Sequence, residues 1–299
     1  MRPTNLSVLQ ARFGSPAVSF QNGPDGAPVL RLVSAQAEAH LALYGGQLMR
    51  FGSHGAEPWL WNAAEQNNQP DTSLRGGVPL CFPWFAKLRP NADRVRFPFH
   101  GFARLSLWEI LETNGSGVRL RLPPHGDWPL ETRLQVSFSN VLDIELSVEN
   151  VGRSPVRFEA ALHPYLAVRE LSSVWIEGLD GATYLNQSDS LKPSCQQGPV
   201  RFAGEVNHRF VETTAELRLC DPVAGRAFRL RKRGSRTTVV WNPWTHPVDG
   251  YGPEEYRRFV CIEPACIGAD AVALEPGAVH RLGVEISCEP LEGDVSPGR

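Results

Sequence analysis

The sequence predicts an all-β protein built as a large sandwich, and three observations predict it. Hydrophobic residues alternate with polar ones at period two along most of the chain, the pattern of strands with one wet and one buried face. Glycine and proline, 27 and 25 of 299 residues, punctuate these runs as turns. Amphipathic helical periodicity is weak everywhere.

In chain order, Val118, Leu120 and Leu122 alternate with Arg119 and Arg121. Leu134, Val136 and Phe138 follow the same rule. Leu142, Ile144, Leu146 and Val148 alternate with Asp143, Glu145, Ser147 and Glu149, and Asn150-Val151-Gly152-Arg153 then reads as a turn between two strands. Leu217 and Leu219, Phe228 and Leu230, and finally Leu282, Val284 and Ile286 complete the series. Residues Gly252 to Arg258 are expected to hold a short helical turn. Strands spread over the whole length, with no linker-like break and no exact repeat, imply one domain over 1–299. The tail from about 289, rich in Glu, Gly and Pro, is expected to be loose.

The formal net charge of -2 argues against nucleic-acid binding. Lysine occurs only at Lys87, Lys192 and Lys232, so the cations are mostly arginine, a bias that high-GC coding also produces. No run of 18 apolar residues marks a membrane helix, and the start lacks an apolar signal core, so a cytoplasmic protein without membrane contact is expected. A monomer is also expected. Six scattered cysteines form no CxxC pair. They are expected to be free, buried thiols, and no zinc or other metal site is expected.

Five segments carry candidate chemistry. Arg75-Gly76-Gly77-Val78-Pro79-Leu80-Cys81-Phe82-Pro83-Trp84-Phe85 offers an irregular backbone, an arginine placed to reach an anion, and two aromatic faces, Trp84 and Phe85, that can stack on a sugar ring. Taken alone, it reads equally as a buried β-arch with a surface arginine. In His100-Gly101-Phe102-Ala103-Arg104, Gly101 permits a tight turn that points His100 and Arg104 into one pocket, although a histidine near a turn is more often simply exposed. His163 closes the apolar run Phe158 to Leu162, where an imidazole either transfers protons near neutral pH or sits satisfied in a core. Glu263 ends the apolar run Phe259 to Ile262, and a buried glutamate without a partner is rare, so it is either used or salt-bridged to an arginine. Trp241 and Trp244 flank a proline turn and can line a cleft or cap the sandwich.

These segments, in this order, resemble the glucose-6-phosphate 1-epimerases (hexose-6-phosphate mutarotases) of the aldose 1-epimerase superfamily. The stretches concerned are RGGVPLCFPWF at 75–85, HGFAR at 100–104, HPYL at 163–166, GLDGATYLNQ at 178–187, VVWNPW at 239–244 and FVCIEP at 259–264. The resemblance implies a large antiparallel sandwich of the galactose-mutarotase type with a cleft on one sheet. It implies that His163 protonates the ring oxygen, that Glu263 takes the proton of the anomeric hydroxyl, and that no cofactor is needed. Arg75 and Arg104 match arginines associated with substrate and phosphate, and His100 matches a second histidine of the cleft. Trp241 and Asn207 complete the expected substrate contacts. Asn207 stands where the family usually has Asp, and can hydrogen-bond a hydroxyl without charge. Pro164, Tyr165 and Leu166 follow the histidine where Thr and aromatics are frequent, and Thr245-His246-Pro247 occupies a loop that usually carries a lysine. The implied function is anomer interconversion of a hexose 6-phosphate, with a small-molecule sugar phosphate as the partner. The alternatives are a mutarotase for an unphosphorylated aldose and a non-catalytic carbohydrate-binding module.

Overall fold

The structure, a computed structural model, describes residues 5–23, 26–64, 73–88 and 97–291. Two large sheets carry the architecture. A nine-stranded sheet runs Val200–Arg201, Trp175–Glu177, Leu217–Asp221, Arg226–Arg233, Val279–Pro290, Val141–Asn150, Leu130–Phe138, Gly117–Leu122, Glu109–Asn114. An eight-stranded sheet runs Lys192–Cys195, Thr183–Asn186, Val206–Phe210, Thr237–Asn242, Phe259–Cys266, Ala160–Leu162, Leu80–Cys81, with Tyr165–Ala167 also paired to Phe259–Cys266. The pairs of both sheets are antiparallel. A four-stranded sheet, Val18–Asn22 to Gln47–Ser53, packs onto the same core.

Alternation explains the packing. In Val141–Asn150 every second residue is buried. Leu142, Ile144, Leu146 and Val148 join the common core, together with Val284 and Ile286 from Val279–Pro290 and Val260 and Ile262 from the opposite sheet. The outward residues form a charge ladder across strands: Arg233 holds Asp143 at 2.7 Å and Glu145 at 3.2 Å, and Arg133 reaches Glu149 at 3.2 Å. Such half-exposed pairs each contribute about 0.2–1 kcal/mol, so burial of the inner face dominates.

The turn after Asn150 forms as expected, with the Gly152 N–H donating to Asn150 Oδ1 at 2.9 Å. The helical turn expected within 252–258 is a 3-10 turn at Glu255–Arg258. One element was not expected: an α-helix at Leu6–Phe13, capped by Asn5, whose Oδ1 accepts from the Ser7 N–H at 2.9 Å. None of its residues is fully buried, so its apolar stripe is too weak for periodicity to reveal. The last strand continues through Glu289 to Pro290, and the rest of the expected loose tail, from 292, lies outside the described residues. The six cysteines are free, but Cys195 is exposed and Cys288 half-buried, a correction to their expected burial. Cys195 lies on the edge strand Lys192–Cys195, none of whose residues is buried. No described helix is long and apolar enough to cross a membrane.

Asn242 ends its strand facing inward, fully buried, and organises the following loop. Its Nδ2 donates to the Tyr256 and Phe259 carbonyls at 2.8 and 2.9 Å, and its Oδ1 accepts from the Trp244 N–H at 2.8 Å. Replacing Asn242 by alanine removes the side-chain partner of three backbone groups, two of them in buried hydrogen bonds. Asn242→Ala is expected to destabilise the protein by about 2–4 kcal/mol, read from the shift of a denaturant midpoint.

Candidate functional site

The outer face of the eight-stranded sheet carries the site. Along Phe259–Cys266, all of which is buried, Val260, Ile262 and Cys266 enter the central core. Phe259, Cys261 and Ala265 instead pack in small clusters on the other face, and Glu263 shares their parity. The neighbouring chain pairs Ala161 with Ala265 and Tyr165 with Cys261, a register that sets His163 opposite Glu263. At that point the chain leaves the central strand: the His163 N–H donates to the Pro79 carbonyl at 3.1 Å, and Pro164 has no N–H to give. His163 Nε2 and Glu263 Oε1 are 3.2 Å apart, with side-chain exposures of 8% and 1%.

Two glycine-bearing segments bring up the cations. Gly76 has φ +101°, and a Cβ there would lie 2.4 Å from the Trp61 carbonyl oxygen, so Arg75 is delivered beside the cleft by a backbone that only glycine allows. Gly101 has φ +78°, and a Cβ there would lie 2.0 Å from the Phe82 oxygen. The chain turns at that contact and passes into the 3-10 turn Ala103–Leu105 that carries Arg104. His100 is buried rather than exposed, and its Nδ1 accepts from the Ala86 N–H at 3.0 Å. The ring proton therefore sits on Nε2.

Arg75, His100, Arg104, His163, Asn207, Trp241 and Glu263, all the residues expected at the site, line one cleft of about 360 Å³, a volume suited to a small ligand. Trp241 stands edge-on to His163, with ring centroids 5.8 Å apart. Phe85 lines the cleft, but Trp84 does not. Trp84 is a core residue, its Nε1 donating to the Pro98 carbonyl at 2.8 Å, which corrects the expectation of a second stacking face. Trp244 turns away toward Tyr256. Sequence reasoning missed Tyr165, Gln187 and Tyr251. Tyr165 stacks on His163 at 4.9 Å, and its hydroxyl meets that of Tyr251 at 2.7 Å. Its spacing of two from His163 on an extended segment was a usable signal. Tyr251 sits in a loop with no such pattern.

The charges are unbalanced. Among the described lining residues the only carboxyl is Glu263, against Arg75 and Arg104. Burial pushes Glu263 well above the usual carboxylate range. Burial, and next the charges of Arg104 and Arg75, push His163 down to about 3. Both directions favour an uncharged pair, with the shared proton on Glu263 and His163 Nε2 accepting it. His163 Nδ1 and Glu263 Oε2 are buried without a partner, as is Arg104 Nε, among the described residues. Burial also lowers the Arg104 guanidinium below its ordinary value. Among the described lining residues the cleft therefore presents two unsatisfied donors, His163 Nδ1 and Arg104 Nε, and more positive than negative charge, an arrangement that suits an anionic, oxygen-rich ligand. No cluster of metal-ligating side chains occurs among the described residues.

Residues 28–287 match the aldose 1-epimerase family model, and the chain belongs to that family. It is 28% identical to a Cenchrus ciliaris protein named "Putative glucose-6-phosphate 1-epimerase", over 92% of this chain and 89% of that one. A Haemophilus influenzae protein of the same name is also 28% identical, over 76% and 79% of the two chains. The crystal structure of a Salmonella typhimurium "putative mutarotase" matches with TM-score 0.82 and 23% identity, covering 92% of this chain and 95% of that one. The fold is the expected sandwich of the galactose-mutarotase type.

The electrostatics predict a pH signature. A carboxyl whose folded value is raised is protonated in the native state while its unfolded counterpart ionises from 4.5 upward. Its contribution to stability is complete below 4.5 and is lost as pH rises toward the folded value. Glu263→Gln removes that loss. The variant is expected to be more stable than the wild type above 4.5, with a gap that widens as pH rises, measured by denaturant midpoints across the range.

Proposed function

We propose that the protein interconverts the α and β anomers of a hexose 6-phosphate, with glucose 6-phosphate as the first substrate to test. The observation that carries this reading is the buried contact between His163 Nε2 and Glu263 Oε1 at 3.2 Å beside two arginines. The ring oxygen and the anomeric oxygen of a sugar are bonded to the same carbon. A base and an acid that touch each other suit two such oxygens. The names of the relatives support the phosphate.

In this mechanism ring opening uses the ionic form of the pair. Glu263 carboxylate takes the proton of the anomeric O1–H, and those bonding electrons form the C1=O1 double bond. The C1–O5 bond breaks, its electron pair stays on O5, and His163 Nε2 delivers a proton there. The pair is then uncharged, with the proton on Glu263. Rotation about C1–C2 and the reverse transfers on the other face give the other anomer. The pair carries one shared proton throughout. Acid–base help of this kind contributes roughly 10²–10⁴-fold.

A phosphate also has an electrostatic effect on the acid. Part of what keeps His163 unprotonated is the charge of Arg104 and Arg75. A phosphate held by these guanidinium groups offsets that charge and favours the protonated imidazole that ring opening needs. Arg75, His100, Arg104, Asn207 and Trp241 act as substrate contacts in this scheme, with Trp241 and Phe85 offering apolar faces to the sugar.

Glu263→Gln is expected to nearly abolish anomer exchange of glucose 6-phosphate, followed by NMR, in a folded protein. His163→Asn should cut turnover strongly while altering the Michaelis constant less. Near-wild-type exchange by either variant removes that residue from proton transfer.

Arg75→Ala and Arg104→Ala are each expected to weaken use of glucose 6-phosphate by about tenfold or more, the effect of losing a charge-assisted contact of roughly 1.5–3 kcal/mol. Exchange of free glucose should change much less. Equal losses on both sugars favour an unphosphorylated aldose as the substrate.

A further inference from the structure

The wall of the cleft contains a hydrogen-bond chain with a fixed direction. Gln187 Nε2 donates to Asn207 Oδ1 at 2.7 Å, and the Gln187 N–H donates to the Asn207 carbonyl at 2.8 Å. Behind them, Arg209 Nη2 donates to Gln187 Oε1 at 3.0 Å. Asn207 and Arg209 are two apart on Val206–Phe210, so both side chains lie on the cleft face of the strand. Arg209 makes no salt bridge among the described residues, and its Nε is buried without a partner there. A guanidinium has donors only. Gln187 must therefore turn its oxygen to Arg209 and its nitrogen to Asn207. Asn207 must then spend its oxygen on Gln187. The Asn207 amide nitrogen makes no hydrogen bond among the described residues, and Asn207 lines the cleft.

We propose that Arg209 is a positioning residue which, through Gln187, fixes Asn207 as an N–H donor toward the sugar. The position then selects a ring substituent that can accept a hydrogen bond, a hydroxyl through its lone pair, and excludes a donor-only group such as an ammonium. An aspartate at 207 would do the reverse, since a carboxylate only accepts. Either polarity is tolerated by a hydroxyl, so discrimination falls on substituted sugars. This inference rests on the cleft being the hexose-phosphate site proposed above.

The test uses glucose 6-phosphate analogues with one ring hydroxyl replaced by fluorine, an acceptor only, or by an amine kept protonated below neutral pH, a donor only. Each is measured as an inhibitor of glucose 6-phosphate anomer exchange. At one ring carbon the wild type is expected to prefer the fluoro analogue by about tenfold or more. Gln187→Glu offers acceptors to both Arg209 and Asn207, which turns Asn207 Oδ1 into the cleft, and the preference should reverse. That reversal should disappear when Asn207→Ala is added; a reversal that survives is a bare charge effect and overturns the proposal. Arg209→Leu lets Gln187 turn over, so the ratio should fall toward one, and Arg209→Lys, also donor-only, should restore it. An unchanged ratio in folded Arg209→Leu, or wild-type preference in Gln187→Glu, overturns the assignment. If Arg209→Leu does not fold, the Gln187→Glu pair decides alone. If the wild type exchanges no hexose phosphate, the proposed function fails and this inference falls with it. Normal exchange with an unmoved ratio sinks only the polarity.

Discussion

The site depends on keeping a carboxyl and an imidazole in contact within an apolar sheet face. Glu263 sits on a strand buried along its whole length, where an isolated carboxylate is costly. It is held in place because its neighbours on the same face, Cys261 and Ala265, are anchored across the sheet to Tyr165 and Ala161. His163 is fixed between those two anchors, at the break that Pro164 enforces. The backbone there is stitched instead to Pro79 and Gly77. The glycine-rich segment that delivers Arg75 is therefore also the support that holds His163. This is why the RGG stretch and the HPYL stretch, far apart in sequence, belong to one device.

The same burial decides the electrostatics. Burial raises Glu263 and lowers His163, so the site favours the uncharged pair. In the proposed mechanism that is the proton distribution left when the sugar ring is open. The closed ring needs the other distribution, and an anion near Arg75 and Arg104 moves the balance toward it. The polar wall follows a similar logic without ionisation. Arg209, Gln187 and Asn207 form a chain whose direction is imposed by the one member that can only donate.

Sequence alone settled the fold class, because period two is a local consequence of strand geometry and each inward residue announces itself. The runs around Ile144, Leu219 and Val284 all enter the core as alternation requires. It failed at Leu6–Phe13, where a surface helix buries too little to leave a stripe. It also singled out His163, Glu263, Arg75, His100 and Arg104, since polar residues inside apolar or glycine-bound runs conflict with their surroundings. What its local patterns could not supply was proximity, which only the family resemblance implied. The contact of His163 with Glu263, the exclusion of Trp84 from the cleft and the arrival of Tyr251 depend on register across the sheet and on loop paths. The orientation of the Asn207 amide depends on Arg209 two residues further along and on Gln187 from another segment. These are relations between distant parts of the chain, with no local pattern to encode them, and only packing of the two sheets decided them.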